Sequence, residues 1–202
     1  MQKTLYFATH NAHKLEEARQ ILGRTVNVLS LGDLGCHDDI PEDADTLEGN
    51  SLIKARYVWD NFSVDCFADD TGLEVDALDG RPGVYTARFA KNNNFHVNGD
   101  SSDNWRYLLS LLEGKTNRSA RFRTAITLII NGEVYQCEGV VNGTIAYCPS
   151  GLHGFGYDPV FVPDGYSDTF AQLPAKVKNS ISHRANALRS MLELPVLQKY
   201  FS

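Results

Sequence analysis

The sequence predicts a mixed α/β fold, and three observations lead to this prediction. Strand-like apolar runs alternate with amphipathic helical patterns in the first part of the chain. Two longer runs further on, Arg121–Ile130 and Glu133–Val141, are joined by Asn131-Gly132, the strongest short signal for a β-hairpin. The 202 residues are 43 % hydrophobic and 22 % charged, which excludes disordered, collagen-like and membrane-embedded classes. We therefore expect one domain, or two tightly packed lobes, over residues 1–202, built on a mixed sheet.

The N-terminal half alternates between strands and helices. Its strands are short apolar or alternating runs, which are typical of buried or half-buried strands. Asn11 is a suitable N-cap for the first helix, and Gly23 ends that helix. An acidic loop, Gly32–Asp45, precedes the second helix. The predicted elements are strands at Thr4–Ala8, Thr25–Leu29, Val64–Ala68 and Leu73–Ala77 and helices at Ala12–Leu22 and Thr46–Phe62.

The C-terminal half contains the hairpin and a glycine-rich stretch. A polar run, Lys91–Asp100, predicts a loop, and apolar spacing predicts a helix over Asp103–Glu113. After the hairpin, the pattern of Thr144–Cys148 is typical of a strand, and a glycine-rich stretch then runs to Gly156. The last predicted elements are a short strand at Pro159–Val162 and a helix at Ser182–Leu192.

Charge and cysteine usage limit the possible partners and compartment. The formal net charge is −6, which argues against wrapping of nucleic acid but leaves room for a small anionic substrate. The cysteines Cys36, Cys66, Cys137 and Cys148 form no CxxC pair, so a zinc site has no support. Unpaired cysteines and the lack of an export signal favour a cytoplasmic location. No apolar run approaches the roughly 18 residues that span a bilayer, so we expect no membrane association.

The first candidate site is the strand-to-helix turn Thr9–Lys14. Exposed amides and the dipole at a helix N-terminus form an anion site, and the Thr9 hydroxyl and Lys14 ammonium suit a phosphate. The alternative is an ordinary capped helix.

The second candidate is the run Phe67–Gly72, which holds the adjacent carboxylates Asp69 and Asp70. Two carboxylates at the end of a buried strand are costly unless something neutralises or uses them. A divalent metal would neutralise them, or one carboxylate would act as a general base on water. The alternative is a solvated turn, because Asp-Asp-Thr-Gly is good turn chemistry.

Two further candidates lie near the C-terminus. In Gly154–Phe161, Phe155 or Tyr157 could stack on a base and Asp158 could accept a hydrogen bond from a sugar or base, or the glycines simply form a turn that packs aromatic rings into the core. In Lys176–Arg189 a dense cationic cluster suits purine carbonyl oxygens or phosphates, unless it is only the basic surface of a terminal helix. Its members are Lys176, Lys178, His183, Arg184 and Arg189.

Four stretches of this sequence, taken in order, resemble one family. They are ATHNAHKLEEARQIL, IPEDADTLEGNSLIKA, FADDTGLEVDALDGRPGVYTARFA, and GLHGFGYDPVF with KNSISHRANAL, and they lie between residues 8 and 188. The family is that of the inosine triphosphate pyrophosphatases, also called dITP/XTP or non-canonical purine NTP pyrophosphatases. The resemblance implies a two-lobed mixed α/β fold with a central twisted sheet, flanking helices and a deep cleft, and it implies a homodimer.

The resemblance also implies a role for individual residues. Asp70 would be the general base and a ligand of Mg²⁺, with Glu42 as the other ligand, although Glu48 and Asp69 remain alternatives for completing the metal site. Thr71 stands next to the substrate where the family often has Ser. The other substrate-binding residues would contact the triphosphate (Thr9, His10, Asn11, Ala12, His13 and Lys14), the base and sugar (Phe155, Gly156, Tyr157 and Asp158) and the purine edge (Lys178, His183 and Arg184).

The implied activity is hydrolysis of ITP, dITP and XTP at the α–β bond, giving the monophosphate and pyrophosphate. It would clear deaminated purines from the nucleotide pool. Two alternatives stay open from the sequence: a non-catalytic purine-nucleotide-binding module and a phosphohydrolase that releases orthophosphate. The intact Asp69-Asp70 pair argues against the first.

Overall fold

The chain divides into two compact units in the computed structural model, which describes residues 3–23, 25–95 and 100–201. Unit 1 consists of Met1–Asp70, Thr124–Gly139 and Ser182–Ser202, and unit 2 consists of Thr71–Arg123 and Val140–Ile181. Within the described residues no helix is long and apolar enough to cross a membrane.

The described residues form seven strands and seven α-helices, with three short 3₁₀ turns. The strands are β1 (Lys3–Phe7), β2 (Val26–Ser30), β3 (Cys66–Val75), β4 (Pro82–Gly83), β5 (Ser119–Ile130), β6 (Glu133–Ile145) and β7 (Phe161–Pro163). The helices are α1 (Ala12–Leu22), α2 (Leu47–Phe62), α3 (Phe89–Asn92), α4 (Ser102–Leu111), α5 (Ala175–Ile181), α6 (His183–Leu192) and α7 (Pro195–Phe201). β3, β5 and β6 each contribute residues to both units.

Unit 1 contains a mixed sheet with strands in the order β2-β1-β3-β5-β6. β1 runs parallel to β2, with Leu5 opposite Val28, and parallel to β3, with Phe7 opposite Phe67. The rings of Phe7 and Phe67 stack with centroids 4.4 Å apart, at the centre of an apolar core that also takes residues from α1, α6 and α7. Parallel pairs together with a hairpin confirm the predicted mixed α/β class.

The predicted hairpin is present in unit 1. Asn131 and Gly132 have φ values of 49° and 84°, and positive φ at both central residues is what a type I′ turn requires. A side chain at Gly132 would approach the Trp59 ring to 3.1 Å, so the turn also lies against α2. The two-residue loop thus fixes the register of β5 and β6.

Unit 2 carries strands in the order β4-β3-β5-β6-β7. β4 runs antiparallel to β3, with Leu73 opposite Gly83, and β7 runs antiparallel to β6, with Thr144 opposite Val162. Its core is aromatic: the Phe161 ring lies 4.8 Å from that of Phe122 and 5.2 Å from that of Phe170.

The main correction concerns the Asp-Asp-Thr-Gly run. We predicted two short strands there, with a solvated turn as one of two interpretations of the residues between them, but β3 continues through Asp69 and Asp70 as one strand of 10 residues. A solvated turn is unnecessary because the structure supplies cations to both carboxylates, as described below. The strand in turn places consecutive side chains on opposite faces of the sheet.

Smaller differences occur at other boundaries. The expected polar loop Lys91–Asp100 begins inside α3, and its residues 96–99 lie outside the described part of the chain. The expected strand Pro159–Val162 begins later, at Phe161. α5 and α7 were not predicted. By contrast, α1 begins at Ala12 as predicted, since the Asn11 carboxamide oxygen accepts hydrogen bonds from the amides of His13 and Lys14.

One cysteine lies in β3, the strand that carries the two aspartates. The Cys66 side chain is fully buried, and its Sγ lies 3.4 Å from the Ala55 carbonyl oxygen, to which it donates. Burial raises the pKa of the Cys66 thiol to about 12, with a smaller contribution from the charge of Asp65.

Gly139 permits close packing of β6 against α6 within unit 1. A Cβ atom at this position would lie 2.0 Å from the Ala187 amide nitrogen and 2.4 Å from the His183 carbonyl oxygen. Gly139→Ala should therefore lower the free energy of unfolding by about 1–3 kcal/mol through overpacking, measured by urea denaturation. Gly32→Ala is the matched control, because its Cβ would meet only the Ser30 hydroxyl at 3.4 Å. Equal stability of the two variants would contradict this account of the packing.

Candidate active site

The Thr9–Lys14 segment forms the turn from β1 into α1. The Thr9 hydroxyl accepts a hydrogen bond from the Asn11 amide (3.1 Å), which tightens the turn before the helix. His10 Nε2 donates to the Asp38 carbonyl oxygen (2.8 Å) and ties this turn to the acidic loop before α2. Ala12 and His13 are exposed in the first turn of α1. Since the Asn11 carboxamide already accepts from the His13 and Lys14 amides, what this segment offers an anion is the helix dipole and the Lys14 ammonium.

Asp69 is a buried carboxylate with two cationic partners. Its side chain is 2 % exposed, Oδ1 accepts from Lys14 Nζ at 2.8 Å, and Oδ2 accepts from Arg184 Nε at 2.9 Å. Burial alone would raise the pKa of Asp69, but Lys14 and Arg184 outweigh it and hold that pKa far below its usual range. Both oxygens are thus occupied, so Asp69 stays ionised and is a poor metal ligand.

The cations around Asp69 come from two helices. Lys14 lies on α1, and burial lowers its pKa while Asp69 opposes that shift. Arg184 lies on α6 and is 2 % exposed, and its Nη1 also donates to Glu17 of α1. Burial would lower the pKa of Arg184, but the carboxylates of Asp69 and Glu17 raise it. The cluster thereby joins α1, β3 and α6.

Asp70 lies in a different environment although it follows Asp69 directly. Its Oδ2 accepts from Asn50 Nδ2 at 3.0 Å, and its Oδ1 lies 3.6 Å from Lys54 Nζ, both on α2. Burial raises the pKa of Asp70, and the carboxylate of Glu42 adds to this, although the charges of Lys54 and Lys14 oppose it. Asp70 is therefore the more basic of the two carboxylates.

Glu42 reaches the same lysine from the acidic loop. Lys54 Nζ donates to Glu42 Oε1 in a short ion pair, so Glu42 and Asp70 share one ammonium. Burial would lower the pKa of Lys54, but Asp70, Asp69 and Glu42 raise it, and the lysine stays charged.

The donor set fits a magnesium ion only in part. In the described residues no group of three or more His, Cys, Asp or Glu side chains converges as a metal site. The carboxylates of Glu42 and Asp70 both lie against one cation, the Lys54 ammonium. Proteins hold Mg²⁺ with few carboxylates in this way, and waters and substrate phosphates complete its shell. Glu42 and Asp70 therefore fit a metal that a phosphate ligand helps to bind. Both oxygens of Asp69 already accept hydrogen bonds from Lys14 and Arg184, and Glu48 lies in the first turn of α2.

Unit 2 holds a second group of the predicted residues. Asp158 Oδ2 accepts from Lys178 Nζ (2.6 Å) and from the Phe155 amide (2.8 Å), which closes the glycine-rich turn. The Lys178 ammonium lies 4.9 Å from the centre of the Phe155 ring, within cation–π distance. The φ of Gly154 is 78°, and a Cβ there would lie 2.1 Å from Asp158 Oδ2, so this turn requires glycine.

The remaining predicted residues differ in accessibility. Tyr157 is buried in the core of unit 2, and its hydroxyl donates to the Thr86 carbonyl oxygen (3.0 Å), so its ring is not open to stack on a ligand. Gly156 has a φ of 59°, and Thr71 is half-buried as the first residue of unit 2. His183 is buried at the start of α6 in unit 1.

Sequence reasoning missed three polar residues of the site: Glu17, Asn50 and Lys54. Asn50 and Lys54 stand one turn apart on α2 and are both buried. On an amphipathic helix, an asparagine followed four residues later by a lysine is typical of the face that points to solvent. Both lie against Asp70, which is 16 to 20 residues away in β3, so only the tertiary structure shows this pairing.

Asp69→Asn should destabilise the protein by about 3–5 kcal/mol, because Lys14 and Arg184 then share a neutral partner whose amide group repels one of them. The free energy of unfolding from urea titration at neutral pH checks this. Since folding lowers the pKa of Asp69, its stabilising contribution exists above the unfolded value of about 3.9 and is lost as the pH falls below it. The difference from wild type should therefore shrink below about pH 4. A difference that is independent of pH would contradict the charge-based explanation.

Comparison with known proteins places the chain in a family. The model of the Ham1 family matches residues 5–194. The dITP/XTP pyrophosphatase of Flavobacterium johnsoniae is 46 % identical over 190 residues, 94 % of this chain and 96 % of its own length. The one from Porphyromonas gingivalis is 47 % identical over 196 residues, with coverages of 96 % and 98 %.

Solved structures agree with the sequence comparison. The Ham1 protein of Staphylococcus aureus has a TM-score of 0.81 at 34 % identity, covering 94 % of this chain and 96 % of that one. A HAM1 protein from Coxiella burnetii has a TM-score of 0.84 at 32 % identity, with coverages of 98 % and 100 %. These similarities confirm the mixed α/β fold and the predicted resemblance: the chain belongs to the Ham1 family.

Proposed function

We propose that this protein hydrolyses ITP, dITP and XTP at the α–β bond and releases the monophosphate and pyrophosphate. The observation that carries the proposal is the contrast between two adjacent carboxylates, of which Asp69 is neutralised by two cations and Asp70 has a raised pKa. Pairs of titratable groups whose environments separate their pKa values mark acid–base sites. The relatives' names, dITP/XTP pyrophosphatase, supply the substrate class.

Asp70 is the proposed general base. Asn50 fixes the orientation of its carboxylate, and the Asp70 side chain is 12 % exposed, so a free oxygen lone pair is available to a water molecule. The raised pKa makes Asp70 a better proton acceptor than a surface aspartate. In the reaction Asp70 removes a proton from water, and the resulting hydroxide attacks the α phosphorus and expels pyrophosphate.

The Thr9–Lys14 turn is the proposed triphosphate site. Its helix N-terminus faces solvent, and Lys14 supplies a cation whose position is set by Asp69. Phosphoryl transfer depends mainly on positioning and charge neutralisation, and this segment provides both. When bound, Mg²⁺ supplies further neutralisation of the phosphates, and Glu42 and Asp70 are the residues that would hold it.

Residues that would contact the purine are proposed for each unit by itself. Lys178 and Phe155 form a cationic and aromatic pair that suits a base, and Asp158 sets the position of both. Arg184 donates through Nε to Asp69 and through Nη1 to Glu17. Its proposed role is therefore to supply positive charge and to hold α6, which also carries His183, in place. A site built to donate to the purine 6-oxo group leaves buried donors unpaired when it meets adenine, which costs about 10⁴-fold. The homodimer and the cytoplasmic location stay predictions.

Assay of a nucleotide panel with product identification tests the proposal. ITP, dITP and XTP should have kcat/KM values far above that of ATP, the products should be the monophosphate and pyrophosphate, and EDTA should abolish turnover until Mg²⁺ is restored. Orthophosphate as the product would favour a different phosphohydrolase. Binding of ITP without turnover would indicate a non-catalytic module, and equal kcat/KM for ATP and ITP would refute the purine selection.

Asp70→Asn should lower kcat for ITP by about 10²–10⁴-fold, because the amide keeps the shape but cannot accept the proton. ITP binding should survive, since the Thr9–Lys14 turn is unchanged. The free energy of unfolding should hold or rise, because burial already disfavours the Asp70 charge.

Steady-state kinetics, direct ITP binding and thermal melting of the same variant check these three expectations. Asp43→Asn is the matched control, because it removes one exposed carboxylate from the loop that carries Glu42. A kcat near that of wild type would reject Asp70 as the base.

A further inference from the structure

Lys54 stands where a cation would bridge Glu42 and Asp70. It is a buried residue of α2, and its ammonium forms a short ion pair with Glu42 and lies 3.6 Å from Asp70 Oδ1. These are the two carboxylates that fit a magnesium ion. In the protein without nucleotide, the two carboxylates therefore already share the positive charge of one lysine.

A divalent ion would have to compete with this ammonium. An ion held by oxygens of both carboxylates would lie within a few ångströms of the Lys54 charge, and like charges at that distance repel strongly when they are shielded from solvent. The ammonium must move away before the ion can bind well. The flexible four-carbon stem of lysine permits this movement, because an ammonium needs no fixed donor geometry.

The triphosphate is the partner that can draw the ammonium away. It brings several negative charges, and an ammonium binds phosphate oxygens well as a point charge. Once the ammonium lies against phosphate, Glu42 and Asp70 lose their shared cation, and these two carboxylates would then be open to hold a magnesium ion. Binding of nucleotide and binding of metal then strengthen each other, and this coupling is reciprocal.

We infer that Lys54 is a positioning residue that keeps Glu42 and Asp70 closed to metal in the free protein, so that Mg²⁺ is taken up with the nucleotide rather than before it. The inference rests on the proposed function for the identity of the nucleotide. Its motivating contacts, however, lie entirely in unit 1 and involve no ligand.

The test is a titration of the nucleotide-free protein with Mn²⁺, followed by electron paramagnetic resonance of the unbound ion. Wild type should bind Mn²⁺ weakly, and Lys54→Met should bind it at least about tenfold more tightly, because the competing charge is gone. Arg56→Met is the matched control: it removes an exposed cation from the same helix, α2, and its Mn²⁺ affinity should stay close to that of wild type. Lys54→Gln gives the same test if the Met variant does not fold.

Three results would overturn the inference. They are equal Mn²⁺ affinity of wild type and the Lys54 variants, tight binding by wild type itself, and an increase in Arg56→Met as large as in Lys54→Met. A second measurement compares the affinity for an ITP analogue with a methylene group between the α and β phosphorus atoms, with and without Mg²⁺. The gain from Mg²⁺ should be larger in wild type than in Lys54→Met, and equal gains would contradict the coupling.

The Mn²⁺ titration contains no nucleotide, so its outcome is independent of which triphosphate is cleaved. Failure of wild type to hydrolyse ITP would reject the proposed function, and the role of Lys54 in excluding metal would still be decided by the titration.

Discussion

The ion pairs of Asp69 with Lys14 and Arg184 are the constraint on which unit 1 depends. They join α1, β3 and α6 through the buried carboxylate of Asp69, and Glu17 adds a further link between α1 and α6. Such a group is stable only as a complete set, because removal of one member leaves an uncompensated buried charge. The same contacts hold Lys14 at the helix N-terminus, so that one cluster serves both the fold and the anion site.

The contrast between Asp69 and Asp70 follows from the geometry of a strand. Consecutive side chains of β3 point to opposite faces of the sheet. Asp69 therefore finds its partners on α1 and α6, whereas Asp70 finds Asn50 and Lys54 on α2. A turn at this place would have put both carboxylates in water, where their pKa values would not have separated. The unbroken strand is thus the reason why two neighbouring aspartates have different chemistry.

The sequence was informative wherever the determining interactions are local. The Asn11 cap, the start of α1 and the Asn131-Gly132 turn were predicted because each depends on residues within a few positions of one another. The continuity of β3 was missed because it depends on Arg184, 115 residues away from Asp69. Lys54 was missed for the same reason, since its sequence neighbours give no sign that it is buried beside two carboxylates.

The thiol within β3 has a consequence for how this protein withstands oxidation. Oxidants attack the thiolate form of cysteine, and a pKa of about 12 leaves on the order of one Cys66 in 10⁵ deprotonated at neutral pH. The full burial of its sulfur also blocks approach of peroxide. The strand that carries both aspartates is therefore chemically protected at its cysteine, and mild oxidative damage would fall first on the exposed Cys148 in unit 2, leaving the paired carboxylates intact.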